Sequence, residues 1–588
     1  MRPERSAQTV LSTTRAKAKM YEFAVPPEDH IRLPVNPDTL FALAIGLVGD
    51  AAAAVASEGE GSPRRTSSLE AIRFAATFFD AYIDAQLDDR VRDEFALLAA
   101  GSYYLANLPG NARLLVSRIP EPRAEGAQSL DWLSYRLLRS SFETNEADHA
   151  SWPRQSSILA ELDAYLTARG GAERLLATLQ ELRTEAYDAG DGRAVLYADL
   201  ATAVALRKIE NASRTLLPEA SGVPLDTWSA TLQKPGFVLE LWPAQRRIGE
   251  AGLLQGRSAV VQMPTSAGKT RATELIIRSA FLADRTDLAV IVSPFRALCH
   301  DIRGDLAKAF SGENIGLNEA TDAFQMDLTI EELWARKTVL IVTPEKLLYI
   351  LRRTPELADQ IGLIIYDEGH QFDSPSRGAS YELLLTSLKI LLPPNTQTVL
   401  LSAVIANAAE VADWLVGDLD AVVKGDDLAP TSRSVAFASW ATRLGQLRYV
   451  APTDPDDEDF FVPRVIESVN LGRRPRERVD RVLPEQGSGT SIGLYLGLKV
   501  VRNGSVAVFC GRKDTAANLC ETAVEWFERG YDQPKPREVS DDEEVGKLVH
   551  LFEAHLSLKQ PPPKRLIWAS CHITRTFRTA SACALSTR

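Results

Sequence analysis

The chain has 588 residues, room for about three or four domains, and a formal net charge of −12. That charge excludes binding of polyanions through bulk positive charge, so any contact with nucleic acid must come from a local basic track. A composition of 45% apolar and 24% charged residues excludes a disordered or membranous chain.

No run is expected to reach the length of a membrane span, and the basic start MRPERSAQTVLSTTRAKAKMYEF lacks the apolar core of a secretory signal. Five cysteines without a C-x-x-C fit neither a disulfide scaffold nor a zinc ribbon. The expectation is a soluble, cytoplasmic protein with no membrane partner.

Residues 1–35 read as a separate N-terminal segment and 36–230 as an all-α domain. In SSLEAIRFAATFFDAYIDAQ, Leu69, Ile72, Ala76, Phe79 and Ile83 share one face, with Ser67 or Ser68 as the expected cap. Further helical stretches follow, each closed by glycine-rich or polar residues. No fixed period marks a repeat solenoid. Nothing in this domain has catalytic spacing, so it reads as a structural module or a dock for a protein partner.

From 231 to 435 the texture is α/β. The runs SAVVQM, LAVIVS, TVLIVTP, LIIYDE and TVLLSA are apolar on both faces and alternate with amphipathic helices, the pattern of a covered parallel sheet. Residues 436–489, with the acidic DPDDED and the basic GRRPRER, read as an irregular connection with solvated charge runs and some local strands. The run SVAVFC, Ser505–Cys510, reads as the first strand of a partial second α/β lobe covering 490–588.

MPTSAGKT, Met263–Thr270, stands between a strand and a helix. A loop that cradles phosphates needs small residues, a helix N-terminus, a lysine for the β- and γ-phosphates and a hydroxyl for Mg²⁺. Thr265, Ser266, Ala267 and Gly268 are candidate cradle residues, Lys269 the cation and Thr270 the hydroxyl, while Met263 takes the place of the first glycine. In LIIYDEGH, Asp367 and Glu368 end an apolar strand, Asp367 lying 98 positions after Lys269. Asp367 is the expected Mg²⁺ carboxylate and Glu368 the general base for an attacking water.

With these two elements the chain resembles a superfamily 2 DExH-box helicase, most closely of the Ski2-like branch. SPFRAL, TPEKL, DSPSRGASYE, LSAVIANAAEVADWL and LWPAQ resemble that family's further elements. The resemblance implies a RecA-like ATP-binding lobe and an incomplete second one, with ATP and Mg²⁺ as cofactors. It implies movement on single-stranded or partly duplex DNA or RNA, driven by ATP hydrolysis. Gln245 is then the adenine reader; Arg296, Thr343 and Pro344, with Arg377 and Gly378, would hold the strand; His370 and Ser402 would couple nucleotide state to that grip.

The departures bear on activity. Val404 replaces the threonine of the S-A-T element, which puts the coupling of hydrolysis to unwinding in question. The second lobe's His-rich turn, T-x-x-L-A-x-G-x-N and Q-x-x-G-R-x-G-R elements are missing, so the chain reads as C-terminally truncated. With free choice of codons, residues 571–588 can be read in another frame as LPHHANIPHGIRLRLEHA, which resembles the family's H-H-A…R…E segment and suggests a frameshift. The chain as written is therefore expected to bind ATP, hydrolyse it poorly and leave duplexes closed. The alternative reading is a nucleotide-switched scaffold, in which ATP binding regulates partner docking without unwinding.

Overall fold

The computed structural model describes residues 3–122, 129–264, 267–320, 336–373, 378–425, 428, 430–441, 443–547 and 550. Among the described residues two compact units form: one from residues 48–72 and 100–432, the other from 1–47, 73–99 and 433–550.

The first unit is built on seven parallel strands: β1 Ala259–Gln262, β2 Leu288–Val292, β3 Gly316–Ala320, β4 Thr338–Val342, β5 Ile361–Tyr366, β6 Gln397–Ser402 and β7 Val422–Lys424. Their spatial order is β3-β4-β2-β5-β6-β1-β7. Alternate residues face opposite layers, which is why the central strands are apolar throughout. Val260, Leu288, Val290 and Val292 enter one core with Tyr381, Leu384 and Leu388. Val261, Ala289 and Ile291 enter the other with Leu275, Ile276 and Leu306. Each such valine, leucine or isoleucine side chain contributes about 1.5–3 kcal/mol by leaving water.

Ahead of the sheet lie the helices Ser129–Arg139, Pro153–Leu166, Glu173–Ala189 and Gly192–Glu210. Gly190 ends the third at φ +70°, and Asp191 caps the next by accepting from the N–H groups of Arg193 and Ala194. Lys208, 1% exposed, reaches the carboxylate of Glu240 and the Ser140 hydroxyl. That ion pair ties the last long helix to the segment just before Gln245.

Several expectations need correction. The helix carrying Ile72, Ala76 and Phe79 begins at Pro63, whose fixed φ suits a first turn, rather than at Ser67 or Ser68. Ser68 lies inside it and donates to Asp50 at 2.9 Å. Ile72, Ala76 and Phe79 are fully buried, while Leu69 and Ile83 are half-buried. Contrary to the expectation that no run is long enough, Pro37–Ser57 is long and apolar enough to cross a membrane by length and composition. Ala44, Leu47, Val48, Ala51 and Ala52 of that stretch are buried within the protein.

In the second unit β8 Val435–Ala441, β9 Leu444–Ala451 and β10 Asp454–Glu467 form an antiparallel sheet in the order β10-β9-β8. The DPDDED run is the exposed start of β10, whose apolar alternation begins only at Phe460. Met20 and Phe23, at the end of the helix Arg5–Glu22, share a core with Tyr449, Phe460, Trp526 and Tyr531. A short ladder, β11 Val469–Asn470 with β12 Val482–Leu483, follows. Ser505–Cys510, expected as a strand, forms none: no described strand pairs with it, and Phe509 is 92% exposed. An extended run gains its backbone hydrogen bonds only from a neighbour.

Candidate nucleotide site

The strand order brings the chemistry to one edge. After β4 comes Thr343, after β2 Ser293–Arg296, after β5 Asp367–His370, while Ser402 closes β6 and Met263–Lys269 follows β1. Loops at the carboxyl ends of a parallel sheet are where such folds bind ligands.

Backbone bonds carry the ladder past the strand ends. Met263 N–H donates to Ser402 O at 2.9 Å, Asp367 N–H to Val292 O at 2.8 Å and Ser293 N–H to Val342 O at 3.0 Å. The candidate phosphate loop is thus joined to the Ser402 turn, and the Asp367 turn to the loop of Arg296.

Gly268 precedes the helix Lys269–Leu282 at φ +85°, and a Cβ there would lie 2.5 Å from Gln245 Nε2. Only glycine suits both the left-handed backbone and that close approach. Gln245 is buried; its Oε1 accepts from Trp242 N–H at 2.9 Å and its Nε2 donates to the Ala267 carbonyl at 3.4 Å. Its amide is therefore turned onto the phosphate loop. Ala267 is buried and Thr270 is exposed. Thr265 and Ser266 lie outside the described residues.

Lys269 is 8% exposed, and its ammonium donates to Glu368 Oε1 at 3.2 Å. Glu368 has φ +49°, a conformation that costs a non-glycine residue on the order of 1–3 kcal/mol and turns up where a site requires it. Gly369 lets that turn sit on β6, since a Cβ there would lie 2.3 Å from Leu400. Glu368 Oε2 is 3.4 Å from His370 Nδ1, which is 3.3 Å from Ser402 Oγ. The lysine, the glutamate, the histidine and the serine form one continuous chain of polar contacts.

Burial, with the charge of Glu368 beside it, pushes the Asp367 carboxyl up to about 6. A cation at this carboxylate would relieve that cost. Without metal, the folded chain holds a proton on Asp367 between about pH 4 and 6 that the unfolded chain releases. This contribution to stability is present at low pH and lost as pH rises through about 6. Asp367→Asn should flatten that part of the profile by on the order of 1–2 kcal/mol once solvent screening is allowed for, read by thermal unfolding in chelator. An unchanged slope would mean that Asp367 does not titrate there.

Arg296 is exposed at the first turn of the helix Arg296–Ala309. Thr343 is 6% exposed and caps the helix Pro344–Arg353 by its backbone, with Pro344 buried. Gly378 is buried at the start of the helix Gly378–Leu391; Arg377 lies outside the described residues. The sequence reading missed Tyr381, 2% exposed, whose hydroxyl donates to the Asp367 carbonyl at 3.3 Å and braces the turn. It also missed a cavity of about 260 Å³ beside Thr270, lined by Phe237, Lys234, Arg271, Glu274 and Lys308 among others. No local pattern signals either one, since both depend on distant segments meeting. Burial pushes the thiol of Cys299 up to about 12, so it is an inert core group.

Residues 242–411 match the DEAD/DEAH box helicase family. The chain is 27% identical over 301 residues to Hachiman protein HamB of Bacillus cereus, covering 51% of this chain and 26% of that protein. It is 30% identical over 252 residues to the ATP-dependent DNA helicase Hel308 of Thermococcus kodakarensis, covering 43% of this chain and 21% of that one. Among solved structures it is similar to the DUF1998 helicase MrfA bound to DNA and AMPPNP, at 22% identity and a TM-score of 0.29, covering 34% of this chain and 29% of that one. The chain spans about a quarter of the length of these two curated relatives.

Proposed function

We propose that the chain is a superfamily 2 helicase of the Ski2-like branch, and that its first unit is an ATPase whose nucleotide state sets its grip on a nucleic-acid strand. The observation that carries this is the chain of contacts from Lys269 through Glu368 and His370 to Ser402. It lies between the phosphate loop and, across the sheet edge, the loops of Arg296 and Thr343.

The residues suit ATP and Mg²⁺. The left-handed Gly268, the buried ammonium of Lys269 and the following helix N-terminus fit a run of phosphates. Thr270 and Asp367 offer the oxygen donors that Mg²⁺ prefers. Bound there, Mg²⁺ would neutralise charge on the phosphates and orient them. The cavity beside Thr270 is proposed to take the nucleoside part, while Gln245 braces the phosphate loop through the Ala267 carbonyl.

In the proposed cycle, phosphates draw Lys269 away from Glu368 and free the carboxylate to accept a proton from the attacking water. His370 follows Glu368, and Ser402 follows His370. Arg296, Thr343, Pro344, Arg377 and Gly378 are proposed to hold the nucleic-acid strand through backbone phosphates and without sequence preference. The helical segment before residue 230 is proposed to dock a protein partner.

The experiment is ATP turnover with and without a single strand of DNA or RNA. Stimulation that disappears in Glu368→Gln supports the proposal. Turnover indifferent to either strand would favour the nucleotide-switched scaffold.

A further inference from the structure

Between β11 and β12 the chain runs LGRRPRERVDR, residues 471–481, with five arginines among eleven residues of a protein whose net charge is −12. The acids of this loop are spent on its shape. Glu477 accepts from the Arg529 guanidinium and, at 2.7 Å, from Arg474 N–H; those bonds hold its carboxyl down at about 2. Asp480 accepts from Asn470 Nδ2 at 3.0 Å, and Asn470 Oδ1 accepts from Gly472 N–H at 2.8 Å. Arg481 N–H closes the loop on Gly472 O at 2.8 Å, while its guanidinium meets Glu485 and Glu525.

The remaining arginines are exposed. Among the described residues, the guanidinium groups of Arg473, Arg476 and Arg478 have no hydrogen-bond or ion-pair partner. Arg476 is held at φ +81°, so the loop keeps a conformation that its own residue types disfavour. Arg478 and Arg443 also line an open cleft of about 1110 Å³, whose other charged residues are the acids Glu477, Asp480, Glu485 and Glu525 and the arginines Arg481 and Arg529 that pair with three of them. A solvated charge run has no need of such bracing.

We propose that this loop is a second, sequence-independent contact for the phosphate backbone of a single nucleic-acid strand, carried by Arg473, Arg476 and Arg478. Planar guanidinium forks with vacant donors suit phosphate oxygens, which carry no base information. An acidic protein surface is the weaker occupant, because Val479 is the only large hydrophobic the loop exposes and a protein interface needs an apolar centre. The proposal rests on reading the chain as a nucleic-acid motor, and it supplies the local basic track that an acidic chain requires.

The test is the salt dependence of binding to a mixed-sequence single-stranded oligonucleotide, measured on the full chain without nucleotide. The triple variant Arg473→Ala/Arg476→Ala/Arg478→Ala should lower the slope of log K against log salt by about 2, since each phosphate contact on a single strand contributes about 0.7. The triple Arg→Lys variant should keep the slope, because charge alone releases counterions. The proposal is overturned if the Ala variant keeps the parent slope, if the Lys variant loses as much as the Ala variant, or if the parent binds no strand. Binding to polyglutamate that falls while the oligonucleotide slope stands would also overturn it and assign the loop to an acidic protein. A loop-dependent slope without stimulated ATP turnover would remove the motor reading and leave this contact standing; stimulated turnover with an unchanged slope would do the reverse.

Discussion

Glu368→Gln should still bind ATP with Mg²⁺ but lose turnover by about 10²–10⁴-fold, the range that a positioned general base contributes. The amide keeps the size of the side chain and an oxygen for Lys269, which now lies 3.2 Å from Glu368 Oε1. It cannot take a proton from water. The backbone at φ +49° is set by the packing of Gly369 on Leu400 and by the Tyr381 bond to the Asp367 carbonyl, neither of which the substitution touches. Binding of a fluorescent ATP analogue and phosphate release, measured side by side, separate the two functions. Equal loss of both would show that Glu368 holds nucleotide and does not act on water.

Lys269→Ala should weaken ATP binding by at least about 10–100-fold, the equivalent of losing a charge-assisted hydrogen bond or two to phosphate. The chain should stay folded. Lys269 is nearly buried, yet among the described residues the one partner of its ammonium, Glu368, has a side chain 23% exposed that can turn to water. Crosslinking of labelled ATP, with a melting curve as the control, reads both. Undiminished crosslinking would remove the phosphate-loop assignment.

The central strands were legible because a strand covered on both faces must be apolar at every position. β1, β2, β4, β5 and β6 all showed as such runs. The two strands that escaped, Gly316–Ala320 and Val422–Lys424, are the edges of the sheet, where one side lacks a neighbour and the apolar demand relaxes. The antiparallel sheet of the second unit was hidden for a different reason. Its longest strand opens on exposed acids, and its core partners Met20 and Phe23 come from the far end of the chain.

For the site, spacing and residue type single out Lys269, Asp367 and Glu368 as candidates, and the fold brings Lys269 within 3.2 Å of Glu368. The pairing of Lys269 with Glu368, the left-handed backbone at Glu368 and the Gln245 hold on Ala267 depend on segments that meet only after folding.

The central claim is that nucleotide state and strand grip are coupled through one sheet edge. The measurement that tests it most directly is the affinity for a single-stranded oligonucleotide with a non-hydrolysable ATP analogue, with ADP and without nucleotide. Coupling of about 1 kcal/mol or more predicts affinities that differ at least about fivefold between the analogue and ADP states, with the strand changing analogue affinity by the same factor. Equal strand affinity in all three states, with the analogue shown to be bound, would contradict the account.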